Sequence, residues 1–104
     1  MIDKLLKFQK IHGIWSDKTF GSNRSPKAPL YHLKKEVEEV IEAPTDVEEY
    51  ADCFILLLDA ARLANIPIPE IFDTMKKKFE KNKNRRWAKP DENGVSEHIR
   101  KWGI

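Results

Sequence analysis

Apolar residues recur at helical spacing through most of the chain, and four helices follow from that rhythm. Leu5, Phe8, Ile11 or His12, and Trp15 mark a first helix over about 2–16, with Gly13 as a weak point inside it. The stretch "SDKTFGSNRSPKAPL" then loses periodicity, carries Gly21, Pro26 and Pro29, and reads as a long irregular loop. Leu33, Val37, Val40 and Ile41 share one face of a second helix over about 30–42. After "APTD", Thr45 and Glu48 have capping-box spacing for a third helix over about 46–64. "NIPIP" ends it, and Pro69 suits the first turn of a fourth helix reaching about Trp87. Residues 88–104 form an irregular tail with a turn signal at Asn93-Gly94. The expectation is an all-α, antiparallel four-helix bundle in a single domain over 1–104.

The third segment, "EEYADCFILLLDAARLA", raises the chemical question. It is apolar nearly all round, yet Glu49, Asp52 and Asp59 fall on one stripe with Leu56 and Leu63. On the second helix Glu36 and Glu39 lie at i, i+3 beside the apolar arc, whereas Lys34, Lys35, Glu38 and Glu42 face away. A short turn between the two helices makes them antiparallel neighbours, so both acidic pairs meet at the core margin. Carboxylates gathered there repel unless some are protonated or cations stand between them. A lone Glu-x-x-Glu is ordinarily a solvated face, and Asp59 could simply pair with Arg62 at i+3. Two acidic pairs on adjacent helices point instead to an all-oxygen site for Mg²⁺, with Mn²⁺ as a substitute; no Cys/His cluster suggests zinc.

Charge changes the picture at the other end. Net charge is only +2, which argues against bulk nucleic-acid binding, but Lys76–Arg86 holds seven Lys/Arg against one Glu. The inward arc of the fourth helix starts with Ile71 and Met75 and continues through Lys78, Asn82 and Arg85. Basic residues near a helix C-terminus complement its dipole without further purpose. Their place on the arc that apolar residues began favours phosphate contact by Lys78 and Arg85. Metal-holding carboxylates together with phosphate-holding cations are the components of phosphoryl chemistry.

Composition adds exclusions. The one cysteine, Cys53, cannot form an internal disulfide and reads as a small buried hydrophobe. The N-terminus lacks a signal peptide's apolar core, and no segment reaches the length of a membrane span. A reducing cytoplasm is expected, without membrane association or a stable nucleic-acid partner.

"KEVEEV…EEYADC" resembles the E-x-x-E…E-x-x-D signature of the MazG-like all-α nucleoside triphosphate pyrophosphohydrolases. "KFEKNKNRRW" is similar to the K-x-x-x-N-x-x-R-x-W segment of that superfamily, and "KTFGSNRSPKAPLYHLKKE" resembles its small, often phage-borne dATP/dGTP diphosphohydrolase branch. Lys35 stands where the first of two adjacent glutamates is expected, and the interval between the acidic pairs is shorter than in larger relatives. The resemblance implies hydrolysis of a (deoxy)nucleoside triphosphate, purine dNTPs foremost, to monophosphate and pyrophosphate. It places Glu36, Glu39, Glu49 and Asp52 as Mg²⁺ ligands and Asp59 as a further ligand or supporting group. Lys78, Asn82 and Arg85 would contact the phosphates. A metal-activated water attacks the α-phosphorus, with Glu39 assisting its deprotonation beside Glu36.

The long loop is the natural place for the base. Trp15, Phe20, Arg24 and His32 are candidates to stack on it or hydrogen-bond it, although core packing is the favoured reading of Trp15 and Phe20. His98 and Trp102 in the tail either close over the site or pack on a neighbour. A third helix apolar nearly all round implies a homodimer or homotetramer. The rivals are a non-enzymatic helical module binding nucleic acid through Lys76–Arg86, which the acidic stripe opposes, and a phosphatase releasing single phosphates.

Overall fold

The computed structural model describes residues 1–99. Four helices follow in order: α1 (Ile2–Phe20), α2 (Lys27–Glu42), α3 (Val47–Leu63) and α4 (Ile68–Lys83). Among the described residues there is no strand, only an isolated antiparallel bridge between Trp87 and His98. The chain divides into two compact units, Met1–Ile71 and the residues from Phe72 onward.

In the first unit α3 packs along α2 and also against α1. The turn between α2 and α3 spans only residues 43–46, so the two helices run antiparallel. Asp46 caps α3, its Oδ1 accepting a hydrogen bond from the Glu48 N–H at 3.0 Å. The cap is thus Asp46 rather than the Thr45 that the capping-box spacing suggested. At the other end of α3, Asn65 takes the left-handed conformation (φ 59°) and the Ile66 N–H donates to the Ala61 carbonyl, which closes the helix.

The expected long loop is shorter than its composition suggests. α1 continues past Ser16 to Phe20 and stops at Gly21, whose φ of 101° is cheap only without a side chain. α2 begins at Lys27, before Pro29, because a helix's first turn has no use for the N–H that proline lacks. Ser25 Oγ accepts from the Lys27 N–H at 3.1 Å at that end. Residues 21–26 are left as the connection, and Trp15, Ser16 and Phe20 sit on a continuous helix.

Gly13 does not break α1 but lets α3 approach it. A Cβ there would meet Arg62 Cδ and Nε at 2.6 Å, so the missing side chain is space that the Arg62 stem fills. Gln9 Nε2 adds a hydrogen bond to the Leu58 carbonyl at 2.8 Å across the same crossing. Gly13→Ala is therefore expected to lower the melting temperature. Alanine gains about 1 kcal/mol of helix propensity, but displacing Arg62 disturbs charge-assisted bonds worth roughly 1.5–3 kcal/mol each. Thermal denaturation followed by circular dichroism measures the balance.

The second unit holds most of α4, which ends at Lys83 and not near Trp87, so Arg85 and Trp87 follow the helix. Beyond it the chain reverses. The Ala88 N–H donates to the Glu97 carbonyl and the Ile99 N–H to the Arg86 carbonyl. Gly94 (φ 80°) and the Asp91 carboxylate, which accepts from the Asn93 and Val95 N–H groups, shape the turn at the Asn-Gly pair.

Candidate active site

The two acidic pairs do converge. One carboxylate oxygen from each of Glu36, Glu49 and Asp52 lies within 4.8 Å of the others. Helical i, i+3 spacing places Glu49 and Asp52 on one face of α3, and the antiparallel hairpin brings Glu36 of α2 against them. Glu36 and Glu49 are partly buried, and the Oε2 atom of each has no hydrogen-bond partner among the described residues. A buried carboxylate oxygen without a donor is costly unless something absent from the chain satisfies it. Glu39 stands at the edge of the cluster, exposed to solvent.

The electrostatics carry the mark of this crowding. Glu39, within hydrogen-bonding reach, is the main influence pushing the Glu36 carboxyl above the ordinary glutamate range; burial adds to it and His32 opposes it. Burial raises Glu49 first, followed by Glu39, Asp46 and Asp52. One turn on from Glu49, the half-buried Cys53 thiol is pushed up by burial and by the four carboxylates Glu36, Asp52, Glu49 and Glu39. In the metal-free chain it is therefore held as a thiol. An oxygen-only donor set with excess negative charge and unsatisfied atoms fits a hard divalent cation.

Glu36 and Asp52 also border a cavity of about 600 Å³, a size that suits a nucleotide. Its walls come from three helices and one loop: His12, Trp15, Ser16 and Phe20 from α1, Arg24, Pro29 and His32 around α2, and Leu56 and Asp59 from α3. All four residues expected to meet a base therefore line it. Trp15 and Phe20 are not core residues. They are 53% and 58% exposed and meet edge-to-face at 5.5 Å, with the Arg24 guanidinium 5.4 Å from the Phe20 ring centre. His32 Nε2 is 3.1 Å from Glu36 Oε1, so it joins the cavity wall to the carboxylate cluster.

Asp59 has a different place from that of a metal ligand. It is 3% exposed and lies outside the carboxylate trio. Its Oδ1 accepts from Arg62, and its Oδ2 accepts from Ser16 Oγ at 2.9 Å and from Arg24 Nη2 at 3.2 Å. Burial works to raise its carboxyl, but the Ser16, Arg62 and Arg24 hydrogen bonds outweigh burial and hold it below the usual aspartate range. Arg62 is anchored in turn by a two-pronged pair with Asp17, at 2.9 and 3.2 Å. The i+3 pair with Arg62 was legible from spacing. Ser16 and Asp17 gave no signal, since they lie 43 and 45 residues from Asp59 and Arg62.

In the second unit, Lys78 is exposed and Arg85 Nη1 donates to Asn82 Oδ1 at 3.0 Å. Trp87 Nε1 donates to the Asn82 carbonyl, also at 3.0 Å, so the N-x-x-R-x-W part of the motif is tied together through Asn82. Lys76 and Lys83 lie over the Phe72 and Phe79 rings. His98 pairs with Trp87 through the bridge and an edge-to-face ring contact; Trp102 lies outside the described residues.

A family model described as dATP/dGTP pyrophosphohydrolase matches residues 8–103. The chain is 40% identical over 94 residues to the Eaa protein of Salmonella phage P22, covering 90% of this chain and 29% of that protein. It is 38% identical over 92 residues to a dATP/dGTP diphosphohydrolase of Salmonella phage PMBT28, covering 88% of this chain and 30% of the relative. The chain thus spans about three tenths of the length of these curated relatives. Among solved structures, the fold matches a cyanophage S-2L MazG-like pyrophosphohydrolase bound to dGDP and three catalytic Mn²⁺ ions per active site. That match has a TM-score of 0.74 at 28% identity, covering 96% of this chain and 98% of the other.

Proposed function

The chain belongs to the dATP/dGTP pyrophosphohydrolase family, and from that premise we propose that it hydrolyses purine deoxynucleoside triphosphates to the monophosphate and pyrophosphate. The observation that carries the reading is the carboxylate trio, with its unpartnered buried oxygens, at the border of a nucleotide-sized cavity. Glu36, Glu49 and Asp52, with Glu39 at their edge, hold divalent cations, Mg²⁺ or Mn²⁺. Bound there, such ions neutralise charge on phosphate oxygens and lower the pKa of a water.

The chain's own residues do the rest. Glu39, the solvent-facing carboxylate of the group, takes the proton from the water that attacks the α-phosphorus, and pyrophosphate leaves. Glu36, with one oxygen held by His32, keeps a fixed orientation toward the cluster. The base enters between Trp15, Phe20 and Arg24. Lys78, Asn82 and Arg85 contact phosphate oxygens, a role that rests on the sequence pattern of that segment and on the Arg85–Asn82 bond that orients the guanidinium. The test is product analysis with Mg²⁺ and a panel of ribo- and deoxynucleoside triphosphates. Monophosphate and pyrophosphate in equal amounts are expected. Orthophosphate as first product would indicate a phosphatase, and salt-sensitive DNA binding without turnover would indicate a binding module.

The active form is a dimer or tetramer. Among the described residues the buried apolar side chains are Pro29, Ala60 and Ile68, whereas Ile11 and Ile14 on α1 and Phe54 and Leu57 on α3 are each more than half exposed. Rows of large apolar side chains on adjacent helices require cover, and a second copy offers the matching surface. Light scattering is expected to give a mass at least twice that of the chain; a monomer at micromolar concentration would refute it.

A further inference from the structure

Five asparagines occur in the chain, and Asn93 alone precedes a glycine. The other four precede an arginine, an isoleucine or a lysine, whose side chains crowd the following backbone nitrogen. Asn93 and Gly94 are both exposed to solvent. A labile asparagine so placed has a reaction available that needs no enzyme. The Gly94 nitrogen attacks the side-chain carbonyl carbon of Asn93, and a C–N bond forms between them. The bond from that carbon to Nδ2 breaks, and ammonia leaves with the proton that Gly94 gives up. Water then opens the cyclic imide at either carbonyl. One opening yields aspartate; the other yields isoaspartate, in which the main chain runs through the former side chain.

The folded turn holds this reaction back. The Gly94 N–H donates to the Asp91 carbonyl at 2.9 Å, with Gly94 at φ 80°, a conformation that glycine takes without strain. The Asp91 carboxylate fixes the residues on either side. Its Oδ1 accepts from the Asn93 N–H at 2.8 Å and from the Val95 N–H at 2.9 Å. The Asp91 N–H donates to the Val95 carbonyl at 2.9 Å and closes the turn. The attacking nitrogen must shed a proton that is engaged in a hydrogen bond. The carboxylate beside it opposes the negative charge that this step creates. Reaching the Asn93 side chain also requires the nitrogen to swing out of the turn, which is a local opening.

We propose that Asn93-Gly94 is a site of spontaneous deamidation whose rate is set by Asp91, and that its isoaspartate product disrupts the chain reversal over 86–99. Isoaspartate adds a methylene to the main chain where the turn is tightest. The hydrogen bonds from Ala88 to Glu97 and from Ile99 to Arg86 join the two arms, so lengthening the turn puts them out of register. The ring contact between His98 and Trp87 goes with them. Trp87 donates through its indole to the Asn82 carbonyl, and Asn82 holds Arg85. A change at residue 93 is thereby transmitted to the segment that carries Asn82 and Arg85. The reaction is independent of whether the protein turns over a nucleotide.

The experiment incubates the full chain in warm, mildly alkaline buffer and follows aspartate and isoaspartate at residue 93 by peptide mass spectrometry. Native and urea-unfolded samples are compared for wild type and Asp91→Ala. Native wild type is expected to convert about tenfold more slowly than the unfolded chain, a factor that one charge-assisted hydrogen bond supplies. Native Asp91→Ala should convert at close to the unfolded rate, and in urea the two proteins should match. Asp91→Asn keeps the acceptor oxygen without the charge. It should fall between the two, and it replaces Asp91→Ala if that variant loses its helical circular dichroism. The other four asparagines are the internal reference and should stay intact over the same interval. In the converted protein the indole N–H resonance of Trp87 should shift while that of Trp15 stays in place. An unfolded chain that keeps Asn93 intact would overturn the site. Equal rates in native and unfolded wild type, or a native Asp91→Ala as slow as wild type, would overturn the role of Asp91. An unmoved Trp87 resonance would overturn the structural consequence.

Discussion

Glu49→Gln is expected to reduce triphosphate turnover on the order of 10³-fold, and Asp52→Asn to do the same, with little change in helical content. Both residues belong to a trio whose oxygens lie within 4.8 Å, and neither substitution changes side-chain volume appreciably. What is removed is one of the few negative charges that can hold a divalent cation, together with the stabilisation that a metal gives the departing phosphate oxygens, a contribution typically worth orders of magnitude in rate. Glu48→Gln is the control. It neighbours Glu49 in the first turn of α3 but is exposed and outside the trio, so near-full activity is expected. Steady-state pyrophosphate release over a range of Mg²⁺ or Mn²⁺ concentrations distinguishes two outcomes. Activity regained at high metal marks weakened binding, and activity lost at every concentration marks a ligand needed in the transition state. Wild-type rates in both variants would contradict the assignment.

The carboxylate trio was legible because helical spacing is local information. Glu36 with Glu39 and Glu49 with Asp52 share faces by arithmetic, and a connection too short to do anything else makes α2 and α3 neighbours. Element ends were less legible. Pro29 looked like a break and stands in the first turn of α2; Gly13 looked like a weakness and is the space for Arg62. In both cases the residue's meaning depends on what approaches it. The same limit hid the network around Asp59. The spacing offered Arg62 as a partner, but Ser16, Asp17 and Arg24 join only where α1 crosses α3. Trp15 followed the apolar rhythm of α1, which favoured core packing for it and for Phe20; both instead border a cavity, a distinction that periodicity cannot make.

Divalent metal is expected to stabilise the protein strongly, with a rise in melting temperature of roughly 10 °C or more at a hundredfold excess over Kd. The reason is what the cluster costs without it. In the metal-free chain, Glu36 and Glu49 bind protons more tightly than ordinary glutamates do, so the folded state holds protons that the unfolded state releases. Stability of the metal-free protein must then fall as pH rises from the ordinary carboxylate range through the raised values, the opposite of what a salt-bridged carboxylate produces. Asp59 is the internal contrast. Its lowered carboxyl adds stability above the ordinary aspartate range, which is lost only in stronger acid. Glu49→Gln should accordingly raise the melting temperature of the metal-free protein at neutral pH while abolishing most of the rise on adding Mg²⁺ or Mn²⁺. Melting curves with chelator and with metal, for the two proteins at several pH values, test both signs together. A Glu49→Gln protein less stable than wild type in chelator, at equal helicity, would mean that the carboxylate is satisfied by the chain itself and that repulsion is not what the cation relieves.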